Sequence, residues 1–438
     1  MELDSGATAW VLASSALVLF MTPGLALFYG GMTRSKNVLN MLMMNVYCMG
    51  IIPVLWVLLT FSLAFGNAGD GGFIGDFDFA FAKDLYTALP GDIGSVEFFG
   101  FLTIPVVIFA AYQLTFAVIT PALISGAVAD RMKFSAWAIF VPLWAILVYS
   151  PVAHWVFGGG FLAVGDTFLG DVFALDFAGG AVVHMNAGAA ALALVLLLGR
   201  RRGWPDSPMP PHNLTMTMLG TGILWFGWFG FNAGSALAAD GIAAAAFMNT
   251  FVAAAAGMLG WLIVERLKDG HFTTLGACSG AVAGLVAITP CAGFVGGLAP
   301  VFIGLGVGVV CYFAISLKTK LGYDDSLDVV GVHLVGGLFG ALALGLFADG
   351  RINPFAGELN DAGEVVQDRG LFLGGGADLL IDQIIASVVT LVFSFVMTLI
   401  IGKVIDATIG LRVTEADELT GLDQTQHAEA GYNLADHI

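Results

Sequence analysis

The stretch DFAGGAVVHMNAG, residues 176–188, decides how the chain is read. It opens a long apolar segment with a carboxylate and two glycines, then sets His184 eight residues after Asp176. An ionisable side chain inside a bilayer-spanning segment is expensive, so an imidazole there points to function first. A second stretch repeats the device. Asp325 and Asp328 open another apolar segment, and His333, followed by Gly336 and Gly337, stands eight residues after Asp325. Eight residues of helix advance about 12 Å. If the two segments enter a hydrocarbon core roughly 30 Å thick from opposite faces, both imidazoles lie near its midplane and within reach of each other.

Composition agrees with a membrane setting. Of 438 residues, 58% are hydrophobic and only 11% charged, and mean hydropathy is +0.89, which is a polytopic helical membrane protein and not a soluble globule. The 59 glycines fit helices that approach closely through small residues. A net charge of -17 excludes nucleic acid as a partner, because a phosphate-binding surface needs clustered Lys and Arg. Cys48, Cys278, Cys291 and Cys311 sit singly in apolar segments, without metal spacing or a disulfide framework. Glu2 and Asp4 stand where a signal peptide would carry basic residues, so residues 8–30 read as a retained span.

Apolar windows long enough to cross a bilayer fall at about 8–30, 40–65, 98–124, 134–156, 177–199, 213–237, 242–264, 272–290, 298–317, 328–348 and 379–405. Eleven spans put the termini on opposite sides. Of the 16 Lys and Arg, all but Lys83, Arg351 and Arg369 follow odd-numbered spans or lie at the C-terminal end. The positive-inside rule then places the N-terminus outside and the C-terminus in the cytoplasm. The fifth span runs inward from Asp176 and the tenth outward from Asp325, the opposite directions that the midplane meeting requires. The expected fold is an all-α polytopic membrane protein with eleven transmembrane helices. Spans 1–5 and 6–10 form an inverted pseudo-two-fold repeat, whose site belongs at the interface of the halves, and the eleventh helix braces it. Residues 1–409 are the membrane domain and 410–438 an acidic cytoplasmic tail. The outer loops at about 66–97, 158–176 and 349–378 read as irregular.

Each site residue has a plainer reading beside the functional one. His184 and His333 could be packing histidines satisfied by carbonyls, but the matched spacing favours a working pair. Burial disfavours the charged imidazole, and a neutral ring offers one donor and one acceptor, which suits a small hydrogen-bonding solute or a proton relay. No third ligand suggests a metal. Asp176 and Asp325 serve as helix N-caps with an added pull on cations, and Asp328 could do either. Aromatic stripes in membrane helices usually pack, yet in WFGWFGFNAGSA Ser235 follows Phe231 by four residues, so the two share a helix face. A hydroxyl beside ring faces can hold a small cation.

DFAGGAVVHMNAG, FYGGMTRSKNVL, LWFGWFGFNAGSALA, LGACSGAVAGLVAITP, DVVGVHLVGG and the tail GLRVTEADELTGLDQTQHAEAGYN resemble the ammonium transporters of the Amt/Mep/Rh family, essentially end to end. The resemblance implies a homotrimer of eleven-helix bundles, each with its own pore. It makes His184 and His333 the pore histidines, and Phe116 and Phe231 the stacked phenylalanines closing the outer mouth. Ser235 becomes the hydroxyl of the outer ammonium site, Asp176 the carboxylate stabilising it, and Trp228 and Tyr29 pore-lining residues. The family's outer-site tryptophan is replaced by Phe157, with Trp155 two residues earlier; Phe is the weaker cation–π partner.

The function this resemblance implies is an ammonium transporter of the plasma membrane, not an enzyme, without cofactor. It would take ammonium or ammonia, with methylammonium as an analogue. A PII-type signal protein would meet the tail, whose Glu415, Asp417, Glu418 and Asp423 face Arg131, Lys133, Arg200, Arg201 and Arg202. The alternatives are an ammonium sensor, which would be expected to carry a signalling domain beyond Ile438, and an Rh-type neutral gas channel, which Ser235 and the tail disfavour.

Overall fold

A computed structural model describes residues 3–69, 71–89, 102–163, 167–359 and 364–432. The chain is mostly helix. Ten of the described helices are long and apolar enough to cross a membrane: α1 (Ser5–Met32), α2 (Ser35–Phe65), α3 (Val106–Val128), α4 (Phe134–Phe157), α5 (Gly180–Leu198), α6 (Leu214–Ala236), α7 (Gly241–Asp269), α9 (Ala299–Leu321), α10 (Val330–Phe347) and α11 (Asp378–Thr408). Between α7 and α9 lies α8 (Thr274–Ile288), apolar but only 15 residues long. At about 22 Å it falls short of a hydrocarbon core, so the expected eighth span at 272–290 is shorter than a full crossing. Nearly every α8 residue from Gly280 to Ile288 is buried, so protein and not lipid sets its length. The first residues of the expected third span, 98–101, and the tail beyond 432, Asp436 included, lie outside the described residues.

Local sequence explains the helix ends. Asp4, Asn213, Asp240 and Thr273 accept from the N–H three residues on, at Ala7, Met216, Ala243 and Gly276, each taking up one of the free donors of a first helical turn. Glycine sets how near the backbones come. A Cβ on Gly220 of α6 would stand 2.3 Å from the Phe28 nitrogen of α1. The α5–α10 crossing is similar: a Cβ on Gly188 would sit 2.5 Å from the Leu334 nitrogen, and one on Gly337 3.0 Å from the Gly180 oxygen. Rising numbers on α5 meet falling numbers on α10, so the two helices run antiparallel, as the sequence required.

Helix α11 shows two faces. Ile384, Val388, Val392, Val396, Ile400 and Val404 face outward, all 44% to 55% exposed, while Gln383, Ser387, Thr390, Ser394 and Thr398 are buried against the bundle. This is the apolar-out, polar-in pattern expected where lipid replaces water. The outer loops are not wholly irregular. Residues 349–378 contain the short antiparallel hairpin of β1 (Gly357–Leu359) and β2 (Val365–Asp368), the one departure from an all-α chain among the described residues.

The tail does not hang free. Lys133 donates its N–H to the Leu411 carbonyl and Val413 donates to Arg131, at 2.9 and 3.0 Å. Two short helices follow, α12 (Glu415–Thr420) and α13 (Leu422–His427). Leu411 and Leu422 are buried, Asp423 accepts the Asn40 N–H at 2.8 Å, and the His427 Nε2 lies 3.0 Å from the Asn40 side-chain oxygen. The expected acidic-to-basic contacts form in part. Glu415 pairs with Arg202, and Glu418 with Arg412, while Asp417 closes a capping box with Thr414. Beneath lies a buried ionic cluster in which Arg201 grips Asp324 with two bonds, at 2.8 and 2.9 Å. Burial alone would raise the Asp324 carboxyl; the bonded Arg201 outweighs it and holds that group below its usual range.

Docking buries His427 and lowers its pKa from the ordinary 6.5. Protonation therefore favours the free tail: docking is at full strength above 6.5 and weakens as pH falls through that value. Asp423, raised by burial, works in the opposite direction but at lower pH, where carboxyls titrate. Proteolytic nicking of residues 411–432 should accelerate between about pH 7.5 and about pH 5.5, and His427→Asn should flatten that dependence. A constant cleavage rate across this window would count against a docking role for His427.

Candidate functional site

At one end of the bundle a cavity of about 260 Å³ opens among Phe116, Phe157, Asp176, Ser235 and their neighbours. Ser235 sits where α6 ends. Its hydroxyl lies 2.9 Å from the Phe231 carbonyl and 3.1 Å from the Tyr112 hydroxyl, which itself reaches the Gly230 and Phe231 carbonyls at 2.9 and 2.8 Å. These carbonyls can only accept, so the hydroxyl protons of Tyr112 and Ser235 turn into the protein. Ser235 is left with a lone pair for the cavity, at the negative end of a helix dipole. Tyr112 was missed in the sequence, although its place four residues before Phe116 puts it on the same face of α3.

Asp176 spends both carboxylate oxygens on backbone. Oδ1 accepts from Gly179 and Gly180 at 2.8 and 2.7 Å, and Oδ2 from Ala181 and Val182 at 2.8 and 3.3 Å. It is the N-cap the sequence suggested, and also a wall of the cavity. Trp155 is not in that wall. Its indole N–H donates to the Phe73 carbonyl at 2.8 Å, and its ring packs among Phe73, Phe161 and Phe393. The two-residue step from Phe157 turns Trp155 to a different side of α4.

Phe116 and Phe231 close the floor of the cavity, with ring centroids 4.4 Å apart. Beneath them is a second space of about 10 Å³, enough for one water-sized molecule, bounded by Phe231, Trp228, His184 and His333. Trp228 stacks on His184 at 5.4 Å and 17°, and its N–H is taken by the Thr289 hydroxyl at 2.9 Å. A third space of similar size continues past His333 to Tyr29 and Asp328.

The two histidines meet as their spacing required. Their rings stack at 5.3 Å and 17°, with the two Nδ1 atoms 3.2 Å apart. Each rides on a π-helical turn, Gly180–Met185 and Val330–Leu334, a widening that recurs at functional positions. Asp325 mirrors Asp176 by accepting the Val330 N–H at 2.7 Å, while the Asp328 carboxylate pairs with Lys318 at the edge of the third space. One set of tautomers satisfies every contact of the pair. Tyr29 donates its hydroxyl to the Leu123 carbonyl at 3.1 Å, so its oxygen, 3.5 Å from the His333 Nε2, faces that nitrogen as an acceptor. With the proton on Nε2 of His333, its Nδ1 accepts from the Nδ1–H of His184. The Nε2 of His184 is then a bare acceptor, buried and without a protein partner. The arrangement is an apolar passage with a short row of donors and acceptors at its centre.

Comparison with known proteins gives a uniform result. A family model described as Ammonium Transporter Family matches residues 9–432. An ammonium transporter of Mycobacterium tuberculosis (strain H37Rv) is 52% identical over 449 aligned positions, covering 99% of this chain and 91% of that one. One of Bacillus subtilis is 47% identical, covering 98% of this chain and 99% of that one. Among solved structures, Candida albicans Mep2 superimposes with a TM-score of 0.83 at 33% identity, over 95% of this chain and 88% of that one. A structure titled Sensor Amt Protein gives 0.83 at 27%, over 96% and 98%.

The four bonds to Asp176 make a stability prediction. Asp176→Ala orphans donors beneath the cavity, at a cost of about 1–3 kcal/mol for the first one left unpaired. The thermal midpoint of the purified variant in detergent should fall by several degrees, with Asp176→Asn intermediate because one amide oxygen can still accept. A midpoint equal to wild type in the Ala variant would remove the capping role.

Proposed function

The chain belongs to the ammonium transporter family, and on that premise we propose that it takes up ammonium and passes it as ammonia, with or without the proton, between His184 and His333. Ammonium and potassium carry the same charge at nearly the same size. An apolar passage separates them because potassium cannot shed its charge, while ammonium can give up a proton. In this reading Ser235 accepts an ammonium N–H, and the rings of Phe116 and Phe157 face the cation. Asp176 adds a favourable potential without leaving its amides. Phe116 and Phe231 part to admit the molecule. The bare Nε2 of His184 then accepts an N–H, Trp228 holds that ring in plane, and the His184–His333–Tyr29 row hands the solute or its proton onward.

The observation that carries this reading is the histidine pair itself, with an unpartnered ring nitrogen, the Nε2 of His184, in a small apolar space. Trp155, packed elsewhere, has no part in it. A second reading, sensing with little transport, draws on the likeness to the structure titled Sensor Amt Protein; an Rh-type gas channel leaves the Ser235 site without purpose. The same proposal extends to a plasma-membrane homotrimer with the N-terminus outside. A PII-type signal protein would meet its cytoplasmic face, where tail and basic loops gather.

Methylammonium uptake into liposomes holding the purified protein tests transport directly. Wild-type uptake is expected, and His184→Ala/His333→Ala should lose ammonium selectivity while the protein still folds. Selectivity unchanged in the double variant would sink the pair as the filter. The outer cavity supplies a second test. Phe157→Trp should tighten half-saturation modestly, since cation–π attraction at a partly exposed site differs by at most about 1 kcal/mol. No change, or weaker binding, would take Phe157 out of the cation site.

A further inference from the structure

The His184 segment is held from outside the two histidine helices: Ala174 and Phe177 donate to the Leu162 and Pro290 carbonyls at 3.0 and 3.1 Å, and α11 grips it at two further points. Residues 172–176 form no regular structure although all five are at most 9% exposed or line the cavity. A buried irregular backbone must find partners for its amides. At Leu175 the partner is the side chain of Gln383 on α11: its Oε1 accepts the Leu175 N–H at 2.8 Å, and its Nε2 donates to the Leu175 carbonyl at 2.8 Å. The same Nε2 lies 3.4 Å from the Ala341 carbonyl on α10, the helix that carries His333. Gln383 is 2% exposed. Three turns further along α11, the Ser394 hydroxyl donates to the Asn186 carbonyl at 2.8 Å. The step from Gln383 to Ser394 is eleven residues, and so is that from Leu175 to Asn186. Helix α11 thus staples both ends of the segment that contains Asp176, its four capped amides and His184.

We propose that Gln383 is a positioning residue for transport: its amide seats Leu175, and through Asp176 sets the depth and ring orientation of His184 against His333. Ser394 fixes the other end. The proposal rests on the transport reading above. The amide's role is specific, because only a group with an acceptor and a donor in one plane serves both backbone atoms of Leu175. Ser387, one turn from Gln383 and equally buried, bonds only the Gln383 carbonyl of its own helix at 2.6 Å. It therefore separates positioning from general packing of α11.

Gln383→Met keeps the length and volume of the side chain and removes both bonds. In liposomes holding the whole protein, it should lower the maximal methylammonium uptake rate about tenfold or more, the scale at which sub-ångström misplacement is felt, and raise potassium leak. Ser387→Ala should leave both as in wild type. Wild-type rate and selectivity in Gln383→Met overturn the proposal, and so does an equal loss in Ser387→Ala, which would make the effect one of packing. If Gln383→Met fails to assemble, Ser394→Ala carries the same expectation at smaller size, and unchanged selectivity in it is equally fatal. Absence of uptake by the wild-type protein in the same assay would instead sink the transport reading itself.

Discussion

Two imidazoles can stack at 5.3 Å inside a bundle only if the helices carrying them cross almost backbone to backbone. That close crossing of α5 and α10 is the constraint on which the site depends. Gly188 against Leu334 leaves no room for a Cβ, and Gly337 against Gly180 leaves it only a tight fit. A methyl at Gly188 would push the helices apart by more than the 3.2 Å between the two Nδ1 atoms can absorb as a hydrogen bond. The glycines in DFAGGAVVHMNAG and DVVGVHLVGG therefore belong to the histidine pair as much as to packing.

An apolar bundle that keeps polar groups at its centre must satisfy its backbone by other means than water. The chain does so with carboxylates set just outside the apolar segments. Asp176 serves four amides and Asp325 the first of the opposite helix. Each is placed at the entry of a span, where charge is cheapest to keep, and acts a few residues further in. The π-helical turns beyond them aim the imidazoles at each other. The result is an unpartnered ring nitrogen, the Nε2 of His184, in a space the size of a single small molecule.

Much of this was legible because it is written as spacing. Asp176 to His184 and Asp325 to His333 gave depth through helix rise, and the Lys and Arg distribution supplied the opposed directions that α5 and α10 adopt. Spacing says less about rotation. Trp155 and Phe157 differ by two residues and by a side of α4, so only Phe157 reaches the cavity. Hydropathy could not separate α8 from a full span, since a helix enclosed by protein need not match the thickness of lipid. Tyr112 and Gln383 stand beside other polar residues, Gln113 and Asp382, and their partners, mainly backbone atoms, lie far along the chain, so nothing local sets them apart. Only the three- and four-residue polar rhythm of Gln383, Ser387, Thr390, Ser394 and Thr398 hinted at a buried face on α11.

The two halves of the site look alike at their histidines but are held by different, unrepeated parts. On the Asp176 side the anchor is α11, through Gln383 at Leu175 and Ser394 at Asn186. On the Asp325 side it is the charged cluster beneath the tail. Asp324 is gripped by Arg201, the Ser326 hydroxyl accepts from Arg131 at 2.6 Å, and Arg131 in turn takes the Val413 N–H on its carbonyl. Asp325, the cap of the His333 helix, lies between those two residues. The docked tail is thus only a few bonds from the backbone that carries His333. It meets the His184 helix at that helix's far end, where Arg412 donates to the Leu198 carbonyl at 2.9 Å. A pair built from like halves is in this way held from two sides, by α11 at the His184 segment and by the charged cluster beneath the tail at the His333 segment.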